Sequence, residues 1–116
     1  MYALDVIKKT SLAKKLGGPP IFHDGYLKSI EIEPTRITLN IEILSQVNPL
    51  LSHDTLVTLR LKNIHAFNIV SSHVKDHLLI IHDLDIRNEG DRLHLMIESN
   101  LKEVIEIYFE SIEFTD

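Results

Sequence analysis

Histidine stands next to aspartate three times in this chain, at His23–Asp24, His53–Asp54 and His82–Asp83. Metal-dependent phosphohydrolysis uses such a pair, set on helices among further His and Asp ligands. There are seven histidines in all. His73 and His77 are four apart, with His82 five further on, and on one helix the first two would share a face as zinc ligands do. The local patterns oppose that chemistry. His73 falls in a polar connection, no Glu completes a catalytic motif, and His82 and Asp83 lie in a strand, where successive side chains point to opposite faces. His82 shares parity with Leu78, Ile80, Leu84 and Ile86, so it is expected to be a buried or half-buried residue with one hydrogen-bond partner. The histidines are read as scattered surface and core residues, with no metal, no cofactor and no catalytic residue.

Other catalytic chemistry finds little support. The chain has no cysteine, which excludes thiolate nucleophiles, disulfides and Cys-based metal sites. Ser29, Ser99 and Ser111 fall on strands without a nucleophile elbow. The paired glycines Gly17–Gly18 precede two prolines and do not open a phosphate-binding helix. The carboxylates are more informative. Asp83 and Asp85 share one face of their strand, Glu106 and Glu110 one face of another, and Glu98 opposes the apolar residues of its own. If those strands pair, the five form one acidic sheet face. Such a face is either a solubilising surface or one that steers a basic partner.

The elements that must position these groups are mostly strands. Arg36–Leu44 alternates Ile37, Leu39, Ile41 and Ile43 with polar residues, and Arg92–Ser99 and Leu56–Lys62 do likewise. Tyr26–Glu33 joins the first of these through Pro34–Thr35, a hairpin link. Asn88–Glu89–Gly90–Asp91 predicts a second hairpin, between Leu78–Ile86 and Arg92–Ser99. Leu78–Ile81 is apolar on both faces, as in a central strand covered on both sides. The last strand, Glu103–Phe114, changes parity after Phe109, which predicts a bulge or bend near Ser111. Gln46–Asp54 reads as a loop, Ala66–Ser71 as a weaker strand, Ser72–His77 as a connection and Asn100–Leu101–Lys102 as a turn. An N-terminal helix over about residues 3–16 ends at Gly17–Gly18 and Pro19–Pro20. The expected fold is α+β, mainly β: a curved antiparallel sheet, open barrel or sandwich of about seven strands, with one helix and a β-rich body over about 21–115.

Composition sets the class. The 116 residues fit a single domain (1–116), 44% hydrophobic and 25% charged, as in ordinary globular chains. No apolar run approaches the roughly 20 residues of a spanning helix, and no secretory leader is expected from the Lys-interrupted start. Residues 1–80 carry 9 Lys/Arg and 7 Asp/Glu (+2), and residues 81–116 carry 3 and 10 (−7). With 6% aromatics and no basic strip, nucleic acid is not expected as a partner. Neither is a membrane, and the expected location is the cytoplasm.

The stretch Pro20–Ile30, with Phe22–His23–Asp24 ahead of an aliphatic strand, resembles the opening of the immunity protein 50 family. Thr55–Leu61 is similar to that family's middle strand, and His82–Ile86 to its later aspartate–aliphatic strand. Arg92–Leu95 and the long final strand follow in the same layout, from Pro19 to Phe114. The chain departs from the family at Asn100–Leu101–Lys102, where a glycine and an aromatic are usual, and in its Lys-bearing helix. The resemblance implies a cytoplasmic, non-enzymatic bacterial protein that neutralises a cognate toxin by stoichiometric binding. Phe22, His23 and Asp24 then have a structural role, and Asp83, Asp85, Glu98, Glu106 and Glu110 face a protein partner, such as a basic toxin domain. The residues by themselves also allow a homodimeric or other interaction domain, and a His/Asp metal hydrolase.

Overall fold

Period-two alternation over the body of the chain produces strands wherever an apolar face must be buried. A computed structural model describes residues 11–16, 21–70, 79–99 and 104–115. It contains α1 (Ser11–Leu16), β1 (Tyr26–Ile32), β2 (Arg36–Ile43), β3 (Thr55–Lys62), β4 (Ala66–Val70), β5 (Leu79–Glu89), β6 (Arg92–Ser99), β7 (Val104–Phe109) and β8 (Ser111–Thr115). The strands form one open antiparallel sheet in the order β4-β7-β6-β5-β1-β2-β3-β8. The fold is α+β, mainly β. The expected start of the helix, its Gly17–Pro20 stop, the 72–77 connection with His73 and His77, and the 100–102 turn lie outside the described residues.

Eight strands stand where the sequence suggests about seven, because the final strand is cut at Glu110. The matching cut in its partner is Asn63–His65, with Asn63 at φ 56. Glu110 N–H donates to Lys62 O at 3.1 Å and His65 N–H to Tyr108 O at 2.8 Å, so the two bent strands stay joined through the corner. β3 pairs with β8 on one side of it and β4 with β7 on the other. The bend explains the parity change: Ile105, Ile107 and Phe109 face the core before it, and Ile112 and Phe114 after it.

The core is the inner side of this folded sheet. Ile37, Leu39, Ile41, Ile43, Leu59 and Leu61 from β2 and β3 meet Ile81, Leu95, Ile97, Ile105 and Phe109 from β5, β6 and β7, all at 1% exposure or less. Each such side chain contributes about 1.5–3 kcal/mol by leaving water. Ala13 of α1 is buried, and Leu16 packs on the same cluster. The β1–β2 turn is Pro34–Thr35, closed by Glu33 N–H to Arg36 O at 2.8 Å. The β5–β6 turn is Gly90–Asp91, with Gly90 at φ 69, where a two-residue hairpin calls for glycine.

β5 is central in the strand order, but the outer side of its first residues is not covered as expected: Ile80 is 38% exposed. Its register explains the parity as well. Ile81 pairs with Ser99 and Asp83 with Glu98, leaving His82 as a bulge. One extra residue reverses the alternation, so Ile81 and Ile86 both face inward.

Candidate functional site

The sequence motif ahead of β1 forms a seam. Among the described residues, β1 and β5 pair at two positions, Tyr26 with Ile80 and Leu27 with Leu79. The chain before β1 extends that pairing: Asp24 N–H donates to Ile81 O, and Ile81 N–H to Gly25 O, both at 2.8 Å. His23 Nδ1 donates to His82 O at 2.6 Å, the carbonyl left free by the bulge. Phe22 is buried in the core cluster, and Gly25 N–H returns to Phe22 O at 2.9 Å. Asp24 takes the turn with its backbone at φ 65, a region Asp enters more readily than most residues. Its carboxylate lies 3.5 Å from His23 Nε2. Gly25 is required by space: a Cβ there would sit 2.7 Å from Glu42 O and 2.9 Å from Phe22 O.

His82 is exposed, contrary to the buried or half-buried position that simple alternation gives it, because the bulge moves it out of the core-facing set. Its ring meets His23 edge-on, centroids 5.4 Å apart. His23, Asp24 and His82 therefore come near one another without forming a ligand set. Among the described residues, no group of three or more His, Asp or Glu side chains is placed to hold a metal ion. His53 contacts Ser52 Oγ at 3.0 Å, and His65 contacts Glu110 Oε2 at 3.0 Å. A shallow depression of about 280 Å³ lies between the β1–β2 turn and the end of β3, lined by Glu33, Thr35, Arg36, Lys62 and Asn63. Its arginine already donates through Nη2 to both carboxylate oxygens of Glu33, at 2.9 and 3.0 Å.

Four of the five singled-out carboxylates share the outer face of β5, β6 and β7. Asp83 lies directly opposite Glu98; Asp85, Met96 and Glu106 form the next row. Arg87, His94 and Tyr108 form the row after that, and Glu89 faces Arg92. The face thus holds Asp83, Asp85, Glu89, Glu98 and Glu106 against Arg87 and Arg92, five carboxylates to two guanidiniums. Glu110 stands at the corner beyond these rows, tied to His65. Arg87 Nε donates to Asp85 at 2.6 Å. That hydrogen bond and the Asp85 charge, with Glu89 and Asp83 adding to them, raise the guanidinium pKa above its ordinary value.

The outer face of β1, β2, β3 and β8 is built differently. Lys28, Arg36, Arg60 and Lys62 balance Glu31, Glu42 and Glu113. Lys28 reaches Glu42 at 3.7 Å and Lys62 reaches Glu113 at 3.2 Å. An amide ladder crosses it: Thr58 Oγ1 donates to Asn40 Oδ1 at 2.9 Å, and Asn40 Nδ2 to Ser29 Oγ at 2.8 Å. Among the described residues, only one of the two outer faces leaves its carboxylates in excess.

Sequence reasoning passed over the centre of that face. His94 points outward by parity yet is 7% exposed, because it stacks on Tyr108, ring centroids 4.3 Å apart and planes within 4°. Its Nδ1 is 3.2 Å from Glu89 Oε1, and its Nε2 is 3.6 Å from Glu106 Oε1. The outward alternation of β6 and β7 contains this pair, but the stack requires their register.

No family model matches the chain, and no curated protein matches it. A solved structure, the crystal structure of an uncharacterized protein from Neisseria gonorrhoeae, is similar with a TM-score of 0.58 and 21% identity, over 83% of this chain and 94% of that one. That likeness shows the fold.

Proposed function

We propose that this chain is a non-enzymatic binding protein of the toxin-immunity type, which neutralises a cognate toxin stoichiometrically through the acidic outer face of β5, β6 and β7. The observation that supports this reading is the five-to-two excess of carboxylates on that face, beside a neighbouring face of the same sheet where charges are matched. Opposed like charges on neighbouring strands weaken a sheet, so the Asp83–Glu98 row contributes nothing to folding. It does create a field that raises the association rate of a basic partner. The Phe22–His23–Asp24 seam adds rigidity by joining the two halves of the sheet, and a rigid surface loses less entropy on binding.

The test is co-expression with the product of the adjacent gene. The expected result is a neighbour that is toxic alone, is tolerated with this protein, and co-purifies with it in a one-to-one complex. A neighbour that is harmless alone, or a pair that gives no complex at moderate salt, overturns the reading.

A further inference from the structure

The open sheet ends on β4 at one side and β8 at the other, and the two edges are guarded unequally. An edge strand presents unpaired N–H and C=O groups, which proteins protect with charge, proline, bulges or a covering element. β8 is protected. Glu113 stands at its centre, paired with Lys62 at 3.2 Å, and its apolar residues Ile112 and Phe114 are 7% exposed. β4 is not. Its residues read Ala-Phe-Asn-Ile-Val, with no charge and no proline, and among the described residues its strand neighbour is β7 alone. Ala66, Phe67 and Asn68 are all exposed. Phe67 lies across from the buried Ile107, on the core side of the sheet, yet it is 48% exposed.

The sequence of this edge fits a copy of itself. Two β4 strands related by a two-fold axis at Asn68 run antiparallel, with Asn68 opposite Asn68, position 67 opposite 69 and position 66 opposite 70. A two-fold contact has to be self-complementary. A carboxamide both donates and accepts, so it complements its own copy, and the remaining positions set apolar residues against apolar residues. No like charges meet. The carboxylate nearest the axis, Glu106, is the register partner of Asn68 on β7. Its counterpart in the second copy would stand three strand spacings away, about 14 Å, beyond the Debye length of about 8 Å at physiological salt. A basic strand finds no charge to pair with on this edge and is drawn instead to the carboxylates over β5, β6 and β7.

We propose that β4 is a dimerisation edge, through which two copies of this chain pair antiparallel over Ala66–Val70 and join their sheets into one. The acidic outer faces of both copies then lie on the same side of the joined sheet, and neither is covered. The inference stands apart from the toxin-immunity reading, since the two use different surfaces. Five residues make a small interface, at the low end of specific contacts, so the dimer is reversible.

Sedimentation velocity on the full chain tests this from about 5 to 500 µM, a range that brackets the Kd of about 50 µM appropriate to so small an interface. The expected result is a monomer–dimer equilibrium that tightens as salt rises, because each copy carries a net charge of −5. Asn68→Lys and Asn68→Asp, at an exposed site where neither disturbs the core, each put like charges across the axis and weaken the dimer about two- to fivefold. Mixing the two variants in equal amounts sets Lys opposite Asp and restores it. A chain that stays monomeric over the whole range overturns the proposal. So does a dimer that both variants leave unchanged, or a mixture no tighter than either variant alone. Growth beyond the dimer also overturns it, since that is the mark of β4 meeting β8 head to tail.

Discussion

Gly25→Ala tests the seam that joins the two halves of the sheet. The added Cβ lands 2.7 Å from Glu42 O and 2.9 Å from Phe22 O, and both are backbone atoms that cannot rotate away. Restoring an ordinary contact of about 3.4 Å means moving them by roughly half an ångström, against a packed interior of low compressibility. The displacement falls on a crowded set of hydrogen bonds: Gly25 N–H to Phe22 O at 2.9 Å, Ile81 N–H to Gly25 O and Asp24 N–H to Ile81 O at 2.8 Å each. Overpacking costs about 1–3 kcal/mol, and one lost backbone hydrogen bond adds about 1. The expected loss is about 2–4 kcal/mol.

For a domain of this size, each kcal/mol lowers Tm by about 4 °C, so Gly25→Ala should melt about 8–16 °C below the parent, followed by circular dichroism. Gly90→Ala is the control. Gly90 has φ 69 and nothing within 4 Å of a Cβ, so its loss reflects backbone conformation alone, about 1–2 kcal/mol. If Gly25→Ala melts within 2 °C of the parent while Gly90→Ala does not, the steric account of the seam is wrong.

Asp24→Gly should be about 1 kcal/mol more stable than Asp24→Ala by urea denaturation, because φ 65 suits glycine and strains alanine. Asn48→Ala should cost about 2–4 kcal/mol in the same assay: this buried side chain donates to Ile21 O and Leu44 O and accepts from Ile21 N–H at 2.8–3.0 Å, and its loss strands three backbone groups. Glu98→Lys should stabilise the fold by about 0.5 kcal/mol, since it replaces a like-charge pair with Asp83 by an opposite-charge one, and should weaken complex formation in a pull-down with the adjacent gene's product. Arg87 has its pKa raised, so its contribution is complete below the ordinary arginine range and is lost only as pH rises through the folded value above it. Its pairing with Asp85 should therefore add no slope to chemical stability between about pH 6 and 9.

How much of this was legible in the sequence depends on whether a feature is local. The alternation of Ile37, Leu39, Ile41 and Ile43 names its own buried face, and the parity change between Phe109 and Ile112 announces a bend within a residue of Glu110. The bulge at His82 has no such signature. An extra residue in a strand is visible only against its partner, and without it His82 is read into the core. Strand order is further out of reach, since β8 beside β3 and β7 beside β4 follow from one bend shared by two strands distant in sequence. The carboxylates of the acidic face could be listed from alternation. The His94–Tyr108 stack among them depends on the β6–β7 register.

The contrast between the two outer faces gives the functional argument its weight. A uniformly solubilising surface has no reason to match charges over β1, β2, β3 and β8 and leave them unmatched over β5, β6 and β7. Solubility depends on net charge and not on its address. The unmatched face also holds the features that solubility does not need: a half-buried tyrosine stacked on a nine-tenths-buried histidine set between Glu89 and Glu106, and Asp83 directly across from Glu98. The opposed carboxylates cost some stability where they stand, and a single substitution such as Glu98→Lys relieves that cost. Proteins sit only a few kcal/mol above unfolding, so local arrangements that lower stability are expected to persist where binding uses them. The excess of carboxylates on one face, beside a neighbouring face where charges are matched, is what makes that face the place to look for the partner.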